Sequence, residues 1–301
     1  MAFTRLQELI LLAHEQQTTI GSLMLAVESE QSGRPAAAIF EQMERQFDVM
    51  EEAVQKGTVE PVYSRSGITG GDGYRVHEHM LSGSQFVHPE TLRAMAYALA
   101  VSEVNSSMGR IVATPTAGSA GILPGVLVSM LDTGRYEKQQ LVMALFTASA
   151  LGLVIANSAS ISGATGGCQA EVGSATAMAA GALVELGGGS PEQVGHAVGL
   201  AMKNSLGLVC DPVAGLVEIP CIVRNGLHAI TAMAAADMAL AGVRSVIPVD
   251  EVIRVMYEVG KDLPISLRET GIGGLAGTPT GRALRDRVFG SVSRSRGVDP
   301  V

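Results

Sequence analysis

The sequence has no tryptophan, and aromatic residues are only 4% of its 301 residues. Its core must therefore be built from Ala, Val, Leu, Ile, Met and Gly, whose small or flexible side chains let helices approach closely. Charged residues are also scarce, at 17% against 47% hydrophobic, so much of the chain is expected away from water and global disorder is excluded. The net charge of −8 comes without any basic cluster. A phosphate-binding surface needs one, so no nucleic-acid partner is expected. Lysine is confined to Lys56, Lys138, Lys203 and Lys261. Cysteine is confined to Cys168, Cys210 and Cys221. An odd number of cysteines, without a secretion signal, argues against a disulfide framework.

Strand signals are nearly absent as well. No run of alternating β-branched residues lies between hairpin turns. The expected fold class is all-α: a multi-helical domain with buried small-residue helices and Gly-rich connecting loops. Residues 111–131 and 139–170 carry no charge, and a membrane span needs about 20 mainly apolar residues. Pro115, Pro124, Asn157 and repeated Ser, Thr and Gly interrupt these runs. Buried helices fit them better than spans. No membrane association and a cytoplasmic location are expected, the N-terminus lacking the pattern of a signal peptide.

Residues 1–57 read as an N-terminal helical part, with apolar residues at helical spacing in LQELILLAHEQ and FEQMERQFDVMEEAVQKG. Residues 58–88 turn Gly-rich and polar, and read as a long loop with either a surface or a site role. Pro89 and Glu90 then mark a helix start. Further helices are expected over 137–158, after the capping box Ser190–Gln193, from about Ile222 to Ala241, and from Pro248 to Gly260. Residues 58–285 form the expected core, and 286–301 a polar, basic tail.

Three groups could carry chemistry. Cys168 follows GATGG at an expected helix start, where the helix dipole favours the thiolate. Cys210 and Cys221 bracket an irregular segment with Pro212, Gly215 and Pro220. The spacing, forty-one and then ten intervening residues, is neither a zinc finger nor a ferredoxin run. By spacing alone two readings stay open: three reduced core thiols, or three ligands of one metal. The second group is the loop from Arg110 to Gly121. Its glycines expose backbone N–H groups, and Thr114, Thr116 and Ser119 add hydroxyls, which suits a carboxylate or phosphate as well as it suits a helix-connecting loop. The third is His77 and His79, two potential proton carriers in the polar segment. His196 and His228 fall on expected helices and read as packing or capping residues. Lys203 could form a Schiff base in principle, though a helical lysine is usually solvated.

The stretches ATPTAGSAGILPG (113–125), SGATGGCQAEVGSATAMAA (162–180), NSLGLVCDPVAGLVEIPCIVRN (204–225) and ETGIGGLAGTPTG (269–281) closely resemble the alpha chain of the two-subunit, iron–sulfur-dependent bacterial L-serine dehydratases. The resemblance runs from about residue 60 to 285. It implies a [4Fe–4S] cluster held by Cys168, Cys210 and Cys221, no pyridoxal phosphate, L-serine as substrate, a separate beta chain supplied in trans and a possible higher oligomer. It implies a role in amino-acid degradation, with pyruvate and ammonia as products. The iron left without a cysteine would act as Lewis acid on the substrate hydroxyl. The substrate-binding candidates are Thr114, Thr116, Gly118, Ser119, Gly121, Arg224 and Asn225. The base that takes the Cα proton is expected from His77, from His79, or from the beta chain. In some single-chain members a C-terminal cysteine caps the open iron; this sequence ends in VDPV, and that cap is not expected. Three other functions compete: a cluster-dependent lyase acting on threonine, cysteine or a hydroxyacid; a pyridoxal-phosphate dehydratase with an essential lysine; and a helical scaffold or Gly-rich membrane protein with incidental cysteines.

Overall fold

The computed structural model describes residues 3–290. Thirteen helices follow in order: α1 (Leu6–Glu15), α2 (Ile20–Ser32), α3 (Ala36–Val59), α4 (Asp72–Leu81), α5 (Pro89–Ser106), α6 (Ile122–Leu131), α7 (Lys138–Ser158), α8 (Gly163–Gly166), α9 (Ser174–Leu186), α10 (Pro191–Ser205), α11 (Cys221–Leu240), α12 (Val249–Asp262) and α13 (Pro279–Phe289). Among the described residues there is no strand, only isolated bridges between Tyr63 and Gly70 and between Cys210 and Arg268. The fold is all-α, as expected.

Local chemistry explains the helix starts. Pro89 opens α5 with Glu90 beside its positive end. Ser190 and Gln193 close a reciprocal capping box on α10. Three other helices take their caps from far along the chain. Asp250 accepts the Leu6 and Gln7 N–H groups of α1 at 2.8 and 3.0 Å. Glu185 accepts those of Ile20 and Gly21 at 2.6 and 2.9 Å. Glu103 accepts those of Asp72 and Gly73 at 2.5 and 3.1 Å. Each carboxylate satisfies donors that a helix start leaves without partners.

Small residues set the packing. α5 lies against α3, α4, α6 and α11. A Cβ on Gly73 would stand 2.6 Å from the Ala100 nitrogen, and one on Gly125 2.7 Å from the Ala98 nitrogen. Only glycine permits these backbones to come so near. The helices α7 and α9 pack on each other. α7 is long and apolar enough to cross a membrane by length and composition, yet 67% of its most apolar window is buried. Leu6, Leu9, Phe47 and Met50 share one buried cluster with Cys168 and Cys210, so the N-terminal helices brace the same core as the cysteines.

Two expectations shift. The stretch 58–88 is not one loop, because α4 lies within it. Its cap, Glu103, is 31 residues away, beyond the reach of a local pattern. The tail expected over 286–301 begins inside α13, whose start is capped by the Thr278 hydroxyl, an acceptor for Gly281 N–H at 3.0 Å. The remainder, 291–301, lies outside the described residues.

Candidate metal centre

Cys168 precedes a single π-helical turn, Gln169–Gly173, which runs into α9. Such turns recur at functional sites. Here the turn is held by Gln169, whose backbone N–H donates to Leu208 O at 3.0 Å. Its side chain donates to Met256 O and accepts from Gly207 N–H, both at 2.9 Å. Cys210 is fixed from the other side by residues 267–269. Its N–H donates to Leu267 O at 2.8 Å, and its carbonyl accepts from Glu269 N–H at 2.7 Å. Cys221 opens α11 after Pro220.

All three thiols are buried and free of disulfides. The Cys168 and Cys210 sulfurs and a Glu171 carboxylate oxygen lie within 4.8 Å of one another. The Cys210 thiol hydrogen-bonds to Cys168, which holds Cys168 below the ordinary thiol range against the effect of burial, and the Arg224 guanidinium adds to this. Serving as that donor pushes Cys210 up, and burial pushes it further. Burial and the negative charge of Cys168 and Glu171 push Cys221 up. The pocket therefore favours one thiolate and resists three, unless a cation is present to take the other two protons' place.

Arg224 links the centre together. Its Nη1 donates to Cys168 Sγ at 3.2 Å and to Val209 O at 2.7 Å, and its Nη2 pairs with Asp211 Oδ1 at 3.1 Å. The other oxygen of the buried Asp211 accepts Leu275 N–H at 2.8 Å. Segments 209–211, 267–275 and α11 are thereby joined around the thiols. One turn along α11, His228 Nδ1–H donates to Arg224 O at 2.9 Å.

The loop 114–121 comes to the same place. Asn225, fully buried, accepts Gly121 N–H at 3.0 Å and donates to Gly118 O and Cys221 O, both at 2.8 Å. It fastens the loop to the third cysteine with its own polar atoms occupied. Ser119 Oγ donates to Thr114 O and lies 3.2 Å from Thr116 Oγ1. The Thr116 side chain and the Gly163 N–H hydrogen-bond to Glu171, whose carboxyl is pushed up chiefly by burial. Gly118 sits against that carboxylate, and Gly121 has no room for a side chain, since a Cβ would stand 2.2 Å from Ala98 O.

Among the residues expected to act, Gly118 and Gly121 are joined to Cys221 through Asn225, Arg224 donates to Cys168, and Thr114, Thr116 and Ser119 are joined to Glu171. His77 and His79 are not joined to this network, and the His77 Nδ1 is buried without a hydrogen-bond partner. The His77 ring packs on Tyr97 of α5, with centroids 6.1 Å apart, and His79 is exposed on α4. Glu171, Asp211 and Glu218 had no role in the sequence reading. Glu218 is buried and accepts the Ser66 and Thr69 hydroxyls at 2.8 and 2.9 Å, tying the 64–70 segment to the stretch before Cys221. Glu171 carried a legible signal: it stands three residues after Cys168, on the same side of a helical turn.

Three buried thiols, no disulfide and a guanidinium to offset thiolate charge suit a soft metal or an iron–sulfur group. The fold is all-helical, and it brings Cys168, Cys210 and Glu171 to one place, with Cys221 buried nearby on α11 but outside that close group. Comparison with known proteins gives the family. The family model described as "Serine dehydratase alpha chain" matches residues 15–276. The chain is 52% identical to "Probable L-serine dehydratase, alpha chain" of Bacillus subtilis (strain 168), over 98% of each chain. It is 43% identical to "L-serine dehydratase, alpha chain" of Peptoniphilus asaccharolyticus, over 93% of this chain and 96% of that one. It is 42% identical to "L-serine dehydratase" of Streptomyces coelicolor, where the match covers 89% of this chain but 59% of that protein. The chain belongs to the serine dehydratase alpha chain family.

Proposed function

We propose that this chain is the alpha chain of an L-serine dehydratase that uses a [4Fe–4S] cluster held by Cys168, Cys210 and Cys221. As a member of the family it is an enzyme, a carbon–nitrogen lyase. The observation that carries the proposal is the meeting of the Cys168 and Cys210 sulfurs with Glu171 within 4.8 Å, with the buried Cys221 fastened to the anion-suited loop through Asn225. When bound, the cluster would supply a Lewis-acidic iron for the substrate hydroxyl, a poor leaving group.

The protein's own groups do the rest. Arg224, with the Cys210 thiol, lowers the pKa of Cys168 and offsets the charge that three thiolates would bring into a buried site. The 114–121 loop receives the substrate carboxylate, with the unpartnered Thr114 hydroxyl at hand and with Thr116 and Ser119 exchanging their present bonds to Glu171 and Thr114 O for it. A base then takes the Cα proton. His77, His79 or a residue of a beta chain fills that role. Elimination leaves an aminoacrylate, which tautomerises to an imine and hydrolyses to pyruvate and ammonia without pyridoxal phosphate. The relatives from Bacillus subtilis and Peptoniphilus asaccharolyticus are named as alpha chains and match nearly end to end; this supports a beta chain as partner. Reduced thiols support a cytoplasmic location.

The test is anaerobic turnover by the reconstituted chain with its beta chain. Pyruvate formed from L-serine, lost on Cys221→Ser, is the expected result. A loaded enzyme that acts on a hydroxyacid and leaves serine untouched would overturn the substrate assignment.

A further inference from the structure

A second group of charged side chains faces a cavity that none of the cysteines lines. The cavity holds about 230 Å³ between α1, α10 and the turn leading into α12, with Gln7, Ile10, Glu192, His196, Arg244 and Val249 among its walls. Sites for drug-sized ligands run to roughly 300–1,000 Å³, so this one suits a ligand of amino-acid size.

Its charges do not satisfy one another. None of the ion pairs among the described residues includes Arg244, Glu192 or His196. The acid nearest to Arg244 along the chain, Asp250, is turned to α1, where its two oxygens accept the Leu6 and Gln7 N–H groups. Arg244 itself sits on a fixed turn. The neighbouring Ser245 is buried and donates to Ile247 O at 2.7 Å, and a Cβ on Gly199 of α10 would stand 2.5 Å from that hydroxyl. Glu192 lies in the first turn of α10, where a hydrogen bond from the Ser190 side chain holds it below the usual carboxylate range. It therefore faces the cavity as an anion. One turn along, burial and the Arg244 charge push His196 down, leaving a neutral ring that can donate or accept. Ile10 and Val249 are buried and apolar.

A cation and an anion on different walls, left unpaired beside an apolar surface, complement a ligand that carries both charges and a hydrocarbon group. We propose that this cavity binds an α-amino acid with a small aliphatic side chain, its carboxylate on Arg244, its ammonium on Glu192 and its side chain on Ile10 and Val249. The site stands apart from the thiol centre and does not depend on the serine dehydratase reading. A hydrogen bond between charged groups is worth roughly 10-fold in affinity, so a ligand lacking either charge binds correspondingly less well.

The experiment uses the full chain with its cluster and beta chain and three probes. L-Valine carries both charges, 2-hydroxyisovalerate lacks the ammonium and isobutylamine lacks the carboxylate; none has a β-hydroxyl to lose. Hydrogen exchange read by mass spectrometry follows the peptides that span Gln7 to Ile10 and Arg244 to Val249, and calorimetry gives Kd. L-Valine is expected to slow exchange in both peptides and to bind roughly 10-fold more tightly than either partial analogue. Arg244→Gln and Glu192→Gln, both at exposed positions, are each expected to weaken L-valine roughly 10-fold. Equal binding of 2-hydroxyisovalerate and L-valine would mean an anion site only and would overturn the amino-acid assignment. Exchange in these peptides that L-valine leaves unchanged up to its solubility, or a Kd that neither variant moves, would overturn the site. An enzyme that binds L-valine here and leaves serine untouched would defeat the serine dehydratase reading alone.

Discussion

Arg224→Met removes three hydrogen bonds at once, and its cost can be worked out from the partners left behind. The buried Asp211 loses the guanidinium at 3.1 Å and keeps only the Leu275 N–H at 2.8 Å. Val209 O loses a donor at 2.7 Å and Cys168 Sγ one at 3.2 Å. Breaking a buried pair from one side costs about 3–5 kcal/mol, mostly the uncompensated charge. In Arg224→Met/Asp211→Asn that charge is gone, while asparagine keeps an oxygen for Leu275. The double variant should therefore be more stable than Arg224→Met alone, with a coupling of about 2 kcal/mol. Urea unfolding of the reduced, metal-free chain at constant pH reads this directly. The Cys168 thiol should also alkylate more slowly with iodoacetamide in Arg224→Met, because the loss of the guanidinium raises its pKa. A double variant no more stable than the single one would refute the argument that Asp211 is held by charge.

Three further predictions concern the fold and the rim of the centre. Burial pushes Glu103 up from 4.5 to about 7, so the folded chain holds a proton there that the unfolded chain has released. Stability should fall by about 3 kcal/mol as pH rises from 4.5 to 7 and then level off; subtracting the profile of Glu103→Gln isolates this term, and a flat difference would contradict it. Gly73→Val should cost about 3 kcal/mol, at the upper end for overpacking, since its Cβ would meet the Ala100 nitrogen at 2.6 Å; a melting temperature like that of the wild type would refute the close packing of α4 on α5. Gly163→Ala places a Cβ 2.7 Å from Glu171 and 3.1 Å from Cys210 Sγ, so it should lower bound iron per chain by half or more while helix content by circular dichroism stays unchanged. Full iron loading would show that the centre has room to spare.

Local signals were strong where the physics is local. Pro89 with Glu90, and Ser190 with Gln193, announce their helices within one turn, and the structure starts α5 and α10 there. The absence of strand patterns announced an all-α fold. The three cysteines and the 114–121 loop were visible as motifs, and their meeting was implied by resemblance and not by spacing. What stayed hidden depends on distant pairs. The start of α4 is set by Glu103, 31 residues on. The thiol centre is joined by Arg224, 56 residues from Cys168 and 13 from Asp211. Neither separation has a helical or strand period, so no window along the chain registers it. The polar segment 58–88 looked like a loop because α4 presents charged residues outward and needs only Gly73 and Met80 buried.

The central claim is that Cys168, Cys210 and Cys221 hold one iron–sulfur cluster. Iron and acid-labile sulfide, counted per chain in anaerobically purified protein and in Cys168→Ser, Cys210→Ser and Cys221→Ser, test it most directly. The account predicts about four of each in the wild type and a marked loss in every variant. A wild type that stays free of iron after reconstitution, or a variant that keeps its full complement, would contradict it.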